Sequence, residues 1–411
     1  MALEKELAPL LEPVADAGRG ATPSASDHAS HLAFDFVDAL PTMEDYTAAR
    51  PVSVLADAIR VAYRALEYQM SRRGDHHPGA RPLSRITPHR AHTKISGRLA
   101  LPGQLHLAIR QTYGGRSGRL AECVQRLRDP GYLTIDERCA RGFMYDVFDY
   151  VAQIAQLPLG QSFIHAGAVE RNGAGTALVA WSGVGKTAAL LQLVTRYGFK
   201  YLSDDVALVD DSGTLWRTPK LIQLKGINVA GYDDLREMLL SGRSLLDRLS
   251  WAQRYRRHGA LGVRRRVSAE ALFGEGAVAR SAPLRSVVAL ERADVADFEV
   301  SDLLLPDLCR RTAAVVMDVM GPFTFLSQAV QSGSRSSRVL PTYGEVLSET
   351  TAVLGRAFRM VPMVNVRVPL AASPATLAAY VAKLVERMES GSGIAGSSAP
   401  RRRRWVSSEG G

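Results

Sequence analysis

Apolar and polar positions in the middle of the chain change from a strand-like to a helix-like pattern within about twenty residues. Residues 177–180 form a continuous apolar run, which is typical of a strand covered on both faces. From residue 188 to 194, small and apolar side chains recur at helical spacing until Gly198, a residue type that commonly ends helices. The pattern therefore predicts a strand, a loop and a helix, and an α/β fold around them.

The same periodicities predict further elements on both sides of this unit. Before it we expect a helix over 52–70, strands over 105–112 and 132–135, and a helix over 143–157. After it we expect a strand over 199–202 running parallel and next to the first strand, a helix over 233–249, a strand over 360–369 and a helix over 374–388.

Composition shifts divide the chain into four predicted regions. The Ala-, Gly-, Ser- and Pro-rich start predicts a disordered leader over residues 1–30. A smaller amino-terminal α+β unit follows over 31–140, with a basic loop over 71–98, and the main core covers 141–388. Residues 389–411 are of low complexity and end in an arginine run, which predicts a disordered basic tail.

Length and composition fit a globular protein with a sizeable buried core. The chain has 411 residues, of which 46% are hydrophobic. Its three cysteines are scattered, which argues against a disulfide framework or a zinc site and favours a reducing compartment. Because no apolar run is long enough to span a membrane and the start lacks a signal-peptide pattern, we expect no membrane association and a cytoplasmic location.

The loop between the predicted strand and helix carries the chemistry of a phosphate-binding loop. Its candidate nucleotide-binding residues are Ser182, Gly183, Val184, Gly185, Lys186 and Thr187. The glycines allow backbone N–H groups to turn toward phosphate oxygens, Lys186 supplies a positive charge, and the Thr187 hydroxyl is placed to bind Mg²⁺. The full pattern has a glycine where this chain has Ala180.

Two adjacent acidic residues, Asp204 and Asp205, follow the next predicted strand and should emerge at the same edge as the loop. Adjacent carboxylates repel each other unless a cation lies nearby, and a magnesium-bound triphosphate supplies one. The alternative interpretation is that they are turn residues or a helix cap, where aspartate is common. With the glycine loop before them, a phosphoryl-transfer site is the favoured interpretation.

These residues resemble the catalytic core of the HPr kinase/phosphorylase superfamily. The resemblance covers 163–209, from Ile164–Val169 through the glycine loop to Ser203–Asp205, with weaker similarity at 218–225 and 283–291. It implies a P-loop kinase core of the HPr kinase and PEP carboxykinase-like type, with ATP and Mg²⁺ as cofactors.

The resemblance also implies roles for single residues. Asp204 would be the general base toward an acceptor hydroxyl and Asp205 would lie near the metal, although these two roles are exchangeable. His165 would lie beside the loop close to the transferred group, and Lys225 would meet a phosphate; without the resemblance, a core histidine and a solvated lysine are the simpler interpretations. Residues 223–229 match the family signature only in part, which weakens the case for phosphorylase activity. A homo-oligomer is plausible by family analogy alone.

We therefore predict an ATP-dependent kinase that phosphorylates a hydroxyl, either a serine of a peptide or protein or a small molecule. The alternative is a non-catalytic nucleotide-binding protein that regulates or binds a partner. The net charge of +10 and the arginines within 254–266 also allow nucleic-acid binding or a mobile lid over the site. Because no nucleic-acid module accompanies them, nucleic acid is the weaker partner prediction.

Overall fold

The computed structural model describes residues 119–390, apart from 135–136, 139, 142–143, 182, 219 and 321–340, together with six strands earlier in the chain. Three predicted segments lie outside the described residues: the leader, residues 73–90 of the basic loop and residues 391–411 of the tail. The six early strands are β1 Ala33–Phe36, β2 Val52–Val54, β3 Ala58–Tyr63, β4 Leu66–Arg72, β5 Ala91–Leu101 and β6 Leu105–Gly114.

These six strands form an antiparallel sheet in the order β1-β5-β6-β4-β3-β2. The predicted helix over 52–70 is wrong, because this segment forms β2, β3 and β4. Its apolar residues also fit a period of two, and the hairpin register sets Ile59 opposite Met70 and Val61 opposite Tyr68. The predicted strand over 105–112 is confirmed by β6, whereas residues 91–98 of the predicted loop belong to β5.

The main part of the chain is a mixed α/β structure. Its strands are β7 Gln161–Ile164, β8 Ala166–Arg171, β9 Ala174–Ala180, β10 Lys200–Ser203, β11 Ala207–Asp210, β12 Thr214–Trp216, β13 Ile222–Lys225, β14 Arg264–Val267, β15 Ser281–Ala293, β16 Glu299–Asp302 and β17 Met363–Pro369. Its helices are α1 Arg119–Arg128, α2 Asp149–Gln156, α3 Lys186–Tyr197, α4 Asp233–Leu240, α5 Leu245–His258, α6 Ala269–Phe273, α7 Leu305–Val319, α8 Tyr343–Ala357 and α9 Pro374–Glu389.

Nine of these strands form one sheet with both parallel and antiparallel pairs. The order is β10-β8-β9-β15-β12-β11-β7, and β17 pairs with both β15 and β16. The long strand β15 runs parallel to β9 and β17, while the other pairs are antiparallel. This confirms an α/β class, with a sheet that is mixed rather than parallel throughout.

Helices cover both faces of this sheet. Alternate residues of a strand point to opposite faces, and Leu178 of β9 packs in one apolar core with α3 and α9, whereas Val179 packs in the other with α7 and α8. Val287 and Val288 of β15 divide between the two cores in the same way. The continuous apolar run over 177–180 is explained by this two-sided burial.

Several local predictions are corrected by the structure. β10 does not lie next to β9, because β8 is inserted between them; it pairs with β8 in the antiparallel sense and so keeps the direction of β9. Residues 132–134 form no strand: Tyr132 has a φ of 56°, and the Asp129 carboxylate accepts hydrogen bonds from the N–H groups of Gly131 and Leu133. The helix predicted over 233–249 is two helices, with a break at 241–244.

The helix predicted over 143–157 and the strand and helix predicted over 360–369 and 374–388 are confirmed. A π-helical turn, α2 and a 3-10 turn together occupy the predicted helix over 143–157. The predicted strand and helix near the end correspond to β17 and α9, which reaches Glu389 and so includes the first residue of the predicted tail. Among the described residues, no helix has both the length and the apolar character needed to cross a membrane.

Candidate functional site

The candidate site begins in the glycine loop that joins β9 to α3. Gly183 and Gly185 have φ values of 89° and 106°, a region that side chains with a Cβ rarely adopt. No side chain caps the first turn of α3, so the N–H groups at its amino end remain available for an anion. Val184 is buried in the core below the loop, and Ser182 lies outside the described residues.

Lys186 opens α3 with a buried side chain, and its Nζ donates a hydrogen bond to the backbone oxygen of Ala180, the last residue of β9. Burial lowers the pKa of Lys186 to about 8, even though Asp204 and Asp205 favour its charged form. The ammonium group is thus held between the end of β9 and the acidic pair, where an anionic ligand would restore its charge.

Thr187 joins the glycine loop to the acidic pair. Its Oγ1 donates a hydrogen bond of 3.1 Å to Oδ1 of Asp204, which directly follows β10. Asp204 is buried, and burial together with the neighbouring Asp205 carboxylate raises its pKa to about 6. A cation at this point would offset both effects.

Asp205 is more exposed than Asp204, and its φ of 72° lies in the left-handed region that few residues other than glycine adopt. Such strain is common where a side chain must be aimed at a functional position. His165, between β7 and β8, brings Nδ1 to 3.4 Å from Oδ1 of Asp205. The contact lacks good hydrogen-bond geometry, so Nδ1 is a buried polar atom without a hydrogen-bond partner among the described residues.

The predicted histidine is neutral in this setting. Burial lowers the pKa of His165 to about 4, and the positive charge of Lys186 acts in the same direction. His165 therefore lies next to Asp205 as an uncharged imidazole at neutral pH, and its predicted place close to the transferred group stays a prediction.

Thr218 fixes the turn that carries the acidic pair. Its backbone N–H donates to Oγ of Ser203 at 2.9 Å, and its Oγ1 donates to the backbone oxygen of Val206. The two contacts lie on either side of Asp204 and Asp205, so the segment entering β13 holds both ends of the turn. Sequence analysis gave Thr218 no such role.

Arg292, near the end of β15, was also missed. Its Nε donates to the backbone oxygen of Val184 in the glycine loop at 3.1 Å, and its Nη1 donates to backbone oxygens of Leu370 and Ala372 after β17. The guanidinium group thereby ties the loop to the turn before α9. Sequence offered no signal for this role, because it depends on the pairing of β15 with β9.

A second missed cluster lies on the other side of Asp205. Lys220 Nζ contacts both carboxylate oxygens of Asp149, at 2.5 and 2.6 Å, and lies 5.2 Å from the ring centre of Tyr145. Burial is the main cause of a raised pKa at Tyr145, and the charge of Asp205 adds to it, so Tyr145 lies within the electrostatic reach of the acidic pair.

The arginine cluster of 254–266 is partly structural. The Arg265 side chain is fully buried, with Nε 2.6 Å from Oδ1 of Asp247. Arg254 donates to backbone oxygens of Gly262 and Arg128. Arg265 therefore belongs to the core, so the basic cluster predicted over 254–266 is not a single surface available for a partner.

The residues of the site fit a magnesium ion shared with a nucleotide better than a cage made by the protein. Within the described part of the chain, no group of three or more His, Cys, Asp or Glu side chains is arranged to hold a metal. Mg²⁺ usually takes one or two carboxylates and completes its shell with phosphate oxygens and water. The hydroxyl of Thr187 and the buried carboxylate of Asp204 are a donor set of that kind.

Comparison with known proteins gives a distant likeness of fold. No family model matches the chain, and no curated protein matches it in sequence. Solved structures do match, among them the HPr(Ser) kinase/phosphatase from Coxiella burnetii, with 12% identity over 56% of this chain and 99% of that chain and a TM-score of 0.27. Similarity at this level says nothing about the reaction, which has to be argued from the residues themselves.

Proposed function

We propose that this protein is a magnesium-dependent kinase that transfers the γ-phosphoryl group of ATP to a hydroxyl of a peptide, a protein or a small molecule. The observation that carries the proposal is the hydrogen bond of 3.1 Å between Thr187 and Asp204. It joins a glycine loop at a helix amino end to a pair of carboxylates, and phosphoryl transfer needs both partners in one place.

The nucleotide side of the site would consist of the glycine loop and Lys186. Backbone N–H groups at the start of α3 would bind phosphate oxygens, and Lys186 would leave the oxygen of Ala180 to neutralise charge on the terminal phosphates. Arg292 would keep the loop in shape without touching the nucleotide. Bound Mg²⁺ would neutralise charge on the phosphates, and Thr187 and Asp204 would hold it.

The exchangeable roles of the two aspartates are then best assigned by their neighbours. Asp204 contacts the threonine that is expected to bind the metal, so we assign it to the metal rather than to the acceptor. Asp205 is more exposed and points away from the threonine toward His165, so we assign it as the general base. Neutral His165 would help to orient the Asp205 carboxylate.

In the reaction, the acceptor oxygen would form a bond to the γ-phosphorus while the bond from that phosphorus to the β,γ-bridging oxygen breaks. The proton of the acceptor hydroxyl would move to Asp205, and the bond electrons would leave with ADP. Positioning and charge neutralisation supply most of the rate enhancement in such reactions. The glycine loop, Lys186, Thr187 and Asp204 would act in these two ways, and Asp205 would add general-base catalysis.

The proposal is tested by separating nucleotide binding from transfer. The parent protein, incubated with γ-labelled ATP, Mg²⁺ and cell lysate, should label a discrete acceptor. Asp205→Asn should still bind Mg-ATP in calorimetry as the parent does but lose transfer by about a hundredfold or more, whereas Asp204→Asn should in addition bind Mg-ATP more weakly. Asp302→Asn, a change of the same type on the edge strand β16, is the matched control.

Two outcomes would contradict the kinase. The absence of any heat on titration with Mg-ATP would remove the nucleotide site itself. Tight Mg-ATP binding, with no labelled product from the parent, would favour the alternative of a regulatory protein that binds nucleotide without catalysis.

A further inference from the structure

The antiparallel ribbon of β13 and β14 has one buried face and one basic face. Its register sets Leu224 opposite Arg265 and, one step along, Lys225 opposite Arg264. Leu224 and Arg265 are fully buried, so Lys225 and Arg264 share the opposite face. Directly opposed like charges destabilise a strand pair, and this pair is therefore costly unless an anion lies over it.

Arg141 adds a third cation to this face. Burial lowers the pKa of Arg264, and the charge of Arg141 adds to this effect whereas the carboxylate of Asp129 opposes it, so Arg141 lies within electrostatic reach of Arg264 and the chain offsets only part of the positive charge. Arg264 Nε is buried without a hydrogen-bond partner among the described residues. None of the ion pairs between described residues involves Lys225, Arg141 or Arg264. We call these three residues the basic face.

The basic face lies on the acceptor side of the proposed site rather than on its nucleotide side. The Arg141 guanidinium lies 5.8 Å from the ring centre of Tyr145, and Lys220 contacts the same ring. Lys220 follows Thr218 by two residues, and Thr218 holds the turn that carries the acidic pair. The glycine loop meets that turn through different residues, Thr187 and Asp204, and none of the three residues of the basic face belongs to the loop. An anion on the basic face would thus belong to the acceptor.

From this arrangement we infer that the acceptor is an acidic peptide segment, in which carboxylate side chains near the accepting hydroxyl bind Lys225, Arg264 and Arg141. The inference rests on the proposed kinase function and adds the class of its substrate. Lys225 and Arg264 lie directly opposite each other on neighbouring strands, where Cα atoms are about 5 Å apart, so the two cations are close enough to bind neighbouring carboxylates of one short segment.

A nucleic-acid backbone fits this face less well. Nucleic-acid binding without base contacts needs many cations along a groove, because affinity grows with each phosphate neutralised. Of the arginines in 254–266, Arg265 is used in the core, and Arg254 donates to backbone oxygens. The small group of cations on the basic face is better suited to a short acidic segment.

Direct binding of a labelled peptide tests this inference independently of catalysis. The probe is a short fluorescent peptide with one serine flanked by glutamates, and its partner probe has glutamines at the same positions. Fluorescence anisotropy with the full chain should show the glutamate peptide binding about tenfold or more tightly than the glutamine peptide, with affinity falling as salt is added. Arg264→Gln combined with Arg141→Gln should remove most of the difference.

The controls separate this inference from folding and from the kinase proposal. Arg310→Gln, which removes the same charge from a largely exposed side chain on α7, should leave peptide binding unchanged. Thermal unfolding of the double variant shows whether it is still folded. Because no nucleotide is needed, a preference for the glutamate peptide without phosphoryl transfer would support the basic face while the kinase proposal failed.

Three results would overturn the inference. The two peptides could bind equally, or the double variant could keep the full preference of the parent. A single-stranded oligonucleotide of matched length could also displace the glutamate peptide at lower concentration than unlabelled peptide does, which would assign the face to nucleic acid.

Discussion

Two buried aspartates in this chain are treated in opposite ways. Asp247 accepts hydrogen bonds from Arg265 at 2.6 Å and from Arg243 at 3.1 Å, so the chain itself supplies its counter-charge. Asp204 accepts one from the hydroxyl of Thr187 and has another carboxylate, Asp205, beside it, and the charge of Lys186 offsets only part of the resulting cost. A buried charge that the protein compensates serves the fold, whereas one that it leaves to be compensated points to a ligand.

The largest expected effect is on the free energy of unfolding, when Asp247 loses its main counter-charge. Arg265→Met would leave Asp247 buried with Arg243 alone and should reduce the free energy of unfolding by about 3–5 kcal/mol, the usual result of breaking a buried pair from one side. Urea unfolding measures it. Replacing both partners, as Arg265→Met with Asp247→Leu, should cost less than the single change; a larger loss in the double variant would contradict this account.

Arg265 also shows where prediction from sequence reached its limit. Arginines 254–266 were interpreted as one basic cluster, because composition cannot distinguish two faces of a strand whose partner is unknown. The pairing of β13 with β14 decides that Arg265 points to the core and Arg264 away from it. The same limit explains the helix predicted over 52–70, where apolar positions fit both periods and only pairing with β6 selects the strand.

The strand, glycine loop and α3 could be predicted from sequence, because each depends on local signals: an apolar run, glycines with positive φ and a helix ending at Gly198. The proximity of Asp204 to Thr187 also followed, since β10 runs in the same direction as β9. Arg292 and Thr218 could not be predicted, because they reach the site through long-range contacts between distant segments.

The next largest effect is expected on the rate of transfer when Lys186, the cation beside Asp204 and Asp205, is replaced. Lys186→Met should reduce the rate of transfer by about a hundredfold or more, about 3 kcal/mol, because a buried positive charge at the terminal phosphates is lost. Its free energy of unfolding should not fall in parallel, since the desolvation cost of the lysine also disappears. Lys383→Met, an exposed lysine on α9, is the matched control; equal loss of transfer in both variants would refute the role of Lys186.

A smaller effect is expected when Asp204 is replaced, and here the free energy of unfolding should rise rather than fall. Its pKa is raised to about 6 in the folded state, so the ionised carboxylate is unfavourable there, and stability falls as pH rises from the ordinary value near 4 to about 6. Above that window the penalty is constant. Asp204→Asn should therefore raise the free energy of unfolding by about 1–2 kcal/mol at pH 7.5 and by nothing below pH 4.

Thermal unfolding of the parent and Asp204→Asn across this pH range measures the difference. Asp211→Asn, a half-exposed carboxylate paired with Arg356, serves as the comparison and should show no gain at pH 7.5. If Asp204→Asn were less stable than the parent at pH 7.5, Asp204 would be compensated within the protein like Asp247, and the contrast between the two aspartates would be lost.

The smallest effect is a change in bound protons when Mg-ATP binds. Near pH 6, a cation next to Asp204 would favour its ionised form, so binding should release up to about half a proton there. Near pH 8, phosphates next to Lys186 would raise its lowered pKa, so binding should take up a fraction of a proton. Calorimetry in buffers of different ionisation enthalpy should therefore give slopes of opposite sign at the two pH values. Asp204→Asn should remove only the release and Lys186→Met only the uptake, and slopes of the same sign in the parent would show that the two charges do not meet the ligand as proposed.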